Sequence, residues 1–323
     1  MKKYRLSYIL IVLCLLIIVI SVLSLKYGAV QTSIIDIIQE LKGNEGLVVK
    51  YRLPRIILAA LVGINMALSG AILQNITKNP LAAPDIMGVT AGSGLIAIII
   101  LLLFPTLSSF IPFFAFLGAI VTAGGVYLLS QIKGEIKPLR LALTGVALSA
   151  GFNALITFLI VKYALNSSQA LVWLKGSLYA RSWQHIELII PWTIIGSVIL
   201  IVSYRYLNIM QLNEETAVGL GLKVNKVRII MLLVAVGLAA SAVAVAGTIG
   251  FIGLVVPPLA RLLVGGNSLH YLPVSALMGA LLVITADFLG RVIFPPLEIP
   301  AGIITAMIGA PYFIYLILTR KSS

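Results

Sequence analysis

The sequence predicts an all-α polytopic membrane protein: a single transmembrane domain over 1–323, with about ten spans and both termini in the cytoplasm. Three observations carry this. Hydrophobic residues make up 60% of the chain, charged residues make up only 10%, and apolar runs of span length recur from end to end. A soluble domain covers its surface with about 25% charged residues. Here lipid must replace water around most of the chain, in keeping with a mean hydropathy of +1.12. The net charge of +13 would suggest nucleic acid in a soluble protein. In a membrane protein such an excess sets topology and meets anionic headgroups, so lipid is expected as a partner and nucleic acid is not. Cys14 is the single cysteine, which excludes a disulfide framework and a cysteine-rich metal site. His185 and His270 are far apart, and neither HExxH nor GxxxxGK[ST] occurs. The chain therefore offers no catalytic or metal site and no phosphate-binding loop.

The first run, 6–25, follows "MKKYR". It is too long for a signal peptide, and "SLKYG" is a poor cleavage site, so it reads as a retained span. The others are 55–74, 89–104, 111–130, 141–161, 186–206, 228–249, 250–264, 272–294 and 301–318. The third and eighth are short, a feature common around binding sites in transporters. The division near Gly247–Gly250 is the least defined, because 228–264 is almost continuously apolar. With the N-terminus inside, 14 of 23 Lys and Arg fall on the cytoplasmic side. The same orientation puts "VVKYRLPR" (48–55) outside, where topology does not favour its three cations.

Three connecting pieces have character of their own. The segment 33–43 has apolar residues at 34, 35, 37, 38 and 41 and reads as an outer helix on the membrane surface. An outer helical or re-entrant segment covers 162–183, with Trp173 and Trp183 at interface depth. A cytoplasmic segment covers 207–226, with a short amphipathic helix at 213–222.

Within the spans, Gly63, Ala67 and Gly70 form a small-residue stripe that lets helices approach closely. Gly145, Ser149, Asn153 and Thr157 recur at i+4 and form one face roughly 18 Å long. Two readings are open for its polar members: backbone-satisfied hydroxyls, or the wall of a water-filled path. Asp287 and Arg291 stand at i, i+4 and can pair. An acid in a span is a functional candidate, and a neutralising ion pair near the outer end is the alternative. An ion-coupled carrier usually needs several buried acids or histidines, and this chain has essentially one.

The stretch 52–94, "RLPRIILAALVGINMALSGAILQNITKNPLAAPDIMGVTAGSG", resembles the signature region of FecCD-type permeases. These are the membrane subunits of ATP-driven importers for ferric siderophores, haem and cobalamin. Further matches follow in family order: "WLKGS" (173–177), "LNEETAVGLGL" (212–222), 243–267 and 286–317. The resemblance implies a ten-helix type II ABC importer permease fold in the bacterial cytoplasmic membrane. It implies a second permease subunit, identical or paralogous, with the substrate path between the two. It also implies two ATPase subunits below and an extracytoplasmic binding protein above. ATP and magnesium would sit on the ATPase, with no cofactor on this chain. An iron–siderophore complex is the expected cargo, with haem or cobalamin as the alternative. An ion-coupled carrier and an intramembrane enzyme are the competing classes.

Residue roles follow from the same resemblance. Arg52, Arg55 and Arg291 match the outer arginines that meet glutamates of the binding protein, with headgroup binding as the plainer alternative; Lys50 has no such match. Asn79 and Leu81 in "NPLA" match the cytoplasmic gate. The fifth and tenth spans line the path in relatives, which adds Thr305 and Gly309 to Ser149, Asn153 and Thr157. Glu214, Glu215, Ala217, Gly219 and Gly221 match the segment that couples to the ATPase. Two departures stand out. Lys78 replaces the usual Arg before "NPLA", and Pro257-Pro258 replaces a Pro-His pair. The second Pro frees backbone carbonyls in a short helix.

Overall fold

The computed structural model describes residues 3–28, 32–43, 46–132, 135–136 and 138–319. Lys2, Lys133, Lys137, Arg320 and Lys321, five of the cations that orient the chain, lie outside the described residues.

The helices are α1 (Lys3–Lys26), α2 (Ile34–Gly43), α3 (Leu53–Thr77), α4 (Val89–Leu103), α5 (Ile111–Ser130), α6 (Pro138–Lys162), α7 (Ser168–Leu174), α8 (Trp183–Met210), α9 (Glu214–Gly219), α10 (Val224–Ala246), α11 (Ile252–Val264), α12 (Ser268–Val292) and α13 (Ala301–Thr319). A π-helical turn, Val48–Arg52, leads into α3. Among the described residues, seven helices are long and apolar enough to cross a membrane, and three shorter apolar ones bring the total to ten. The shorter ones are Val89–Leu103, Ile252–Val264 and Ala301–Tyr315. One feature departs from an all-helical reading: Gln131–Ile132 and Glu135–Ile136 pair as a minimal antiparallel hairpin between α5 and α6.

α3 and α10 form the centre, each with 78% of its apolar stretch buried, whereas α1 lies outside with only 6% buried. Its exposed Ile11, Leu15 and Ile18 suit lipid. The small-residue stripe of α3 is a packing device. A Cβ on Gly63 would overlap the Gly279 carbonyl, and one on Gly70 would overlap Gly253. Backbones meet there because no side chain intervenes.

The apolar run 228–264 divides after Ala246. Gly247 takes φ +74, and a Cβ there would strike the Trp173 carbonyl, so glycine is needed for conformation and for space. α11 then starts beyond Phe251 and carries Pro257 and Pro258 internally. Their missing amides leave the carbonyls of Gly253 and Leu254 without i+4 donors. Gln74 of α3 supplies the replacement: its Nε2 donates to Gly253 O at 3.0 Å and to Leu254 O at 3.3 Å.

The ends of the bundle agree with the charge count. Residues assigned outside gather together: Arg52 with Leu25, Arg291 with Ser24, and Trp183 with Val49. Residues assigned inside do likewise: Lys78 with Leu212, and Asn208 with Asn267.

Candidate functional site

At the outer end, α1, α3, α12 and the 293–300 segment bring the three sequence-selected arginines together, two of them on one buried acid. Arg55 Nε lies 3.0 Å from both Oδ atoms of Asp287, and its Nη2 donates to Asp287 Oδ1 at 2.8 Å. The same Nη2 reaches Glu298 Oε2 at 2.9 Å. Arg291 approaches Asp287 Oδ2 at 3.2 Å, as an ion contact whose Nε–H is not aligned for a hydrogen bond. It also donates to the hydroxyl and carbonyl of Ser24. Arg52 donates to the carbonyls of Leu25 and Lys26 and to Thr32 Oγ1 at 2.6 Å. The arrangement follows from depth. An arginine this near the apolar core must be neutralised and hydrogen-bonded, and Asp287 serves two at once.

The i, i+4 pair read from the sequence is therefore present, with Arg55 as a second and closer partner of the same acid. Glu298 escaped the sequence reading. The signal available was charge balance, since "RLPR" carries two cations and no acid, and "PPLEIP" carries an isolated acid. The three arginines do line a common outer cavity of about 410 Å³, together with Tyr51, Tyr179, Arg181 and Glu298. Their forks, however, are occupied from within: Asp287 is 3% exposed, and Glu298 is the accessible carboxylate of the group at 26%. Burial lowers the Arg181 guanidinium from its ordinary value, though an arginine stays charged at neutral pH. Lys50 stands apart, exposed, with its ammonium over the Tyr51 ring.

Midway along α6 its polar face opens on a cavity of about 550 Å³. Ser149, Asn153 and Thr157 line it, opposite Asp85, Thr90 and Thr248. The backbone-satisfied reading holds for one polar member of the face. Thr157 gives its hydroxyl to Asn153 O at 2.8 Å, as backbone satisfaction requires, while Ser149 faces Asp85 O at 3.4 Å. α6 is otherwise barely buried, with only Leu141, Gly145 and Ile156 enclosed.

Asp85, Thr90 and Thr248 were not selected from the sequence. Asp85 sits on a 3₁₀ turn, Pro84–Met87, that precedes the short α4. A polar residue beside a shortened span is the signal that could have found it. Thr305 and Gly309 lie behind the cavity wall. The Thr305 hydroxyl donates to Gly250 O at 3.2 Å and Gly302 O at 3.1 Å, and Gly309 admits the Phe251 side chain. An adjoining cavity of about 500 Å³ shares Leu174, Thr248 and Gly250 and is completed by Lys175, Phe251 and the start of α13.

At the cytoplasmic end Asn79 Oδ1 accepts from Leu81 N at 2.9 Å, a side-chain turn that presents Leu81 at 38% exposure. Lys78, left-handed at φ 50, donates to Leu212 O at 2.5 Å. This joins the candidate gate to the segment carrying α9. There Glu214 lies 3.5 Å from Arg228, Glu215 is exposed, and Ala217 is buried. A Cβ added at Gly219 or Gly221 would meet no described atom within 4 Å, and Leu212, Val218 and Leu220 are exposed. The tip thus displays apolar residues and bare backbone.

The sequence model of the FecCD transport family matches residues 15–319. The Fe(3+)-citrate import system permease protein YfmE of Bacillus subtilis (strain 168) is 44% identical, covering 98% of this chain and 96% of the relative. The iron(3+)-hydroxamate import system permease protein FhuG of the same organism is 41% identical over 94% of each chain. The Fe(3+) dicitrate transport system permease protein FecD of Escherichia coli (strain K12) is 42% identical, over 85% of this chain and 86% of the relative. A solved ABC transporter of metal-chelate type, in an inward-facing conformation, superposes with a TM-score of 0.83 at 32% identity, covering 97% of this chain and 99% of that one. The match to PsaBC of Streptococcus pneumoniae, at 20% identity and a TM-score of 0.60, shows likeness of fold. With ten apolar helices among the described residues and a family match over nearly its whole length, this chain is a multi-pass membrane protein that belongs to the FecCD transport family.

Proposed function

We propose that this chain is the permease subunit of an ATP-driven importer for a ferric siderophore or related iron chelate in a bacterial cytoplasmic membrane. The observation that carries the reading is the half-built path. A polar cavity midway along the bundle is walled on one side by α6, whose remaining surface is largely uncovered. A second permease subunit, identical or paralogous, would complete the wall. The iron specificity rests on the relatives, whose names include citrate and hydroxamate import.

The steps follow from the three ends of the site. A loaded binding protein docks over the outer arginine cavity, where arginine forks suit its carboxylates. Docking there must compete with Glu298 for Arg55. The chelate then enters the cavity lined by Ser149, Asn153 and Thr157. ATPase subunits grip the apolar tip around Val218 and Leu220. The Lys78–Leu212 bond carries their motion to Asn79 and Leu81 at the gate. ATP chemistry belongs to the partner, which fits the lack of a phosphate-binding loop in this chain.

The test is uptake of radioactive iron chelate into proteoliposomes holding the assembled complex. Uptake should require ATP and persist when ionophores abolish ion gradients. Uptake that ignores ATP and collapses with the gradient would overturn the reading.

A further inference from the structure

The cations on the outer side are nearly all committed. Arg52, Arg55 and Arg291 bind within the chain, Arg181 meets His185 at 3.3 Å, and Lys26, Lys50 and Lys162 lie over tyrosine rings. Lys42 is exposed on the surface helix α2. Lys175 differs. Its backbone is pinned, because Gly302 packs directly on its carbonyl and Gly302 N donates to Gly176 O at 3.1 Å. Its side chain is exposed at the mouth of the 500 Å³ cavity, where it is the charged residue of the lining. Among the described residues its ammonium has no hydrogen-bond or ion-pair partner. The rest of that lining is apolar or backbone: Leu174, Phe251, Ile303 and Met307 beside Thr248 and the glycines. A cation at an apolar-walled mouth, with no counter-charge beside it, is placed to attract anions.

We propose that Lys175 is a specificity-determining residue of the path, which admits anionic, carboxylate-bearing ferric chelates in preference to neutral ones. The inference rests on the transport reading above and names the charge class of its cargo. The connected inner cavity carries an acid instead, Asp85. An anion drawn to Lys175 therefore finds no second cation among the residues lining the inner cavity, and attraction confined to the mouth allows occupancy without trapping.

The test uses the complete complex in proteoliposomes, with ferric citrate as the anionic probe and a neutral ferric trihydroxamate as the comparison. Each is presented at saturation on a binding protein that holds it. Lys175→Glu should slow ATP-driven ferric citrate uptake by about tenfold, the order expected when a charge facing the cargo is inverted. Lys175→Met should slow it by a smaller factor, and Lys175→Arg should restore it. Trihydroxamate uptake and ATP hydrolysis stimulated by the binding protein should stay within about twofold, which separates cargo attraction from damage to the fold. Equal loss of both chelates, or no loss of ferric citrate uptake in Lys175→Glu, would overturn the inference alone. Absence of ATP-driven uptake by the unmodified complex would overturn the transport reading and this inference with it.

Discussion

Replacing Gln74 by leucine should loosen α11, and the structure gives the size of the effect. Gln74 Nε2 is the donor that stands in for the two amides removed by Pro257 and Pro258, at 3.0 Å from Gly253 O and 3.3 Å from Leu254 O. Gln74 is buried, so water does not readily take its place. Each buried carbonyl left without a partner costs about 1–3 kcal/mol, and the two together about 2–6 kcal/mol. Deletion of the amide also removes Gln74 Oε1, itself buried without a partner, and this offsets about 1–2 kcal/mol. Leucine fills a similar volume, so the cavity term is small. The net loss should be about 1–4 kcal/mol. The assay is equilibrium unfolding of the purified chain in mild detergent, read as a double-mutant cycle. Pro257→Ala with Pro258→Ala restores the two backbone donors. In that background Gln74→Leu should cost less than about 1 kcal/mol. A cost that is the same with and without the prolines would show that Gln74 does not stand in for their amides, as would a neutral Gln74→Leu in the native background.

Three further outcomes follow. Asp287→Asn should destabilise the chain by about 3–5 kcal/mol in the same assay, because Arg55 and Arg291 would lose their shared buried counter-charge. Arg52→Glu with Arg55→Glu should weaken binding-protein docking, measured as affinity at low salt; it should also lower stability, because both side chains are bonded within the chain. Lys78→Met should cut the link to Leu212, so that ATP hydrolysis continues while chelate uptake falls, which a paired ATPase and uptake assay reads directly.

What the sequence revealed depended on whether the information was local. The spans follow from runs of apolar residues, the Gly63–Gly70 stripe from its spacing, and the Asp287–Arg291 pair from one helical turn. The cation count put Arg52, Arg55 and Arg291 on one side, and they do share a cavity. The partners of those residues were not legible. Asp287 is 232 positions from Arg55, and Gln74 is 179 from Gly253. Periodicity along one helix says nothing about which distant helix lies against it. The same limit explains α13. Thr305 and Gly309 share a face, but only packing decides that this face turns toward Gly250 and Phe251 rather than toward the cavity. Asp85 was hidden for a different reason: its turn interrupts two spans and has no repeat of its own.

If the α6 face carries the cargo, a bulky group attached there must block transport, and cysteine accessibility at Asn153 probes this. With Cys14 replaced by serine, Asn153→Cys in the assembled complex is treated from outside with a bulky water-soluble thiol reagent. Stoichiometric labelling should stop ATP-driven iron chelate uptake while ATP hydrolysis persists. Complete labelling with undiminished uptake would place the cargo elsewhere, because a path cannot be filled and still conduct.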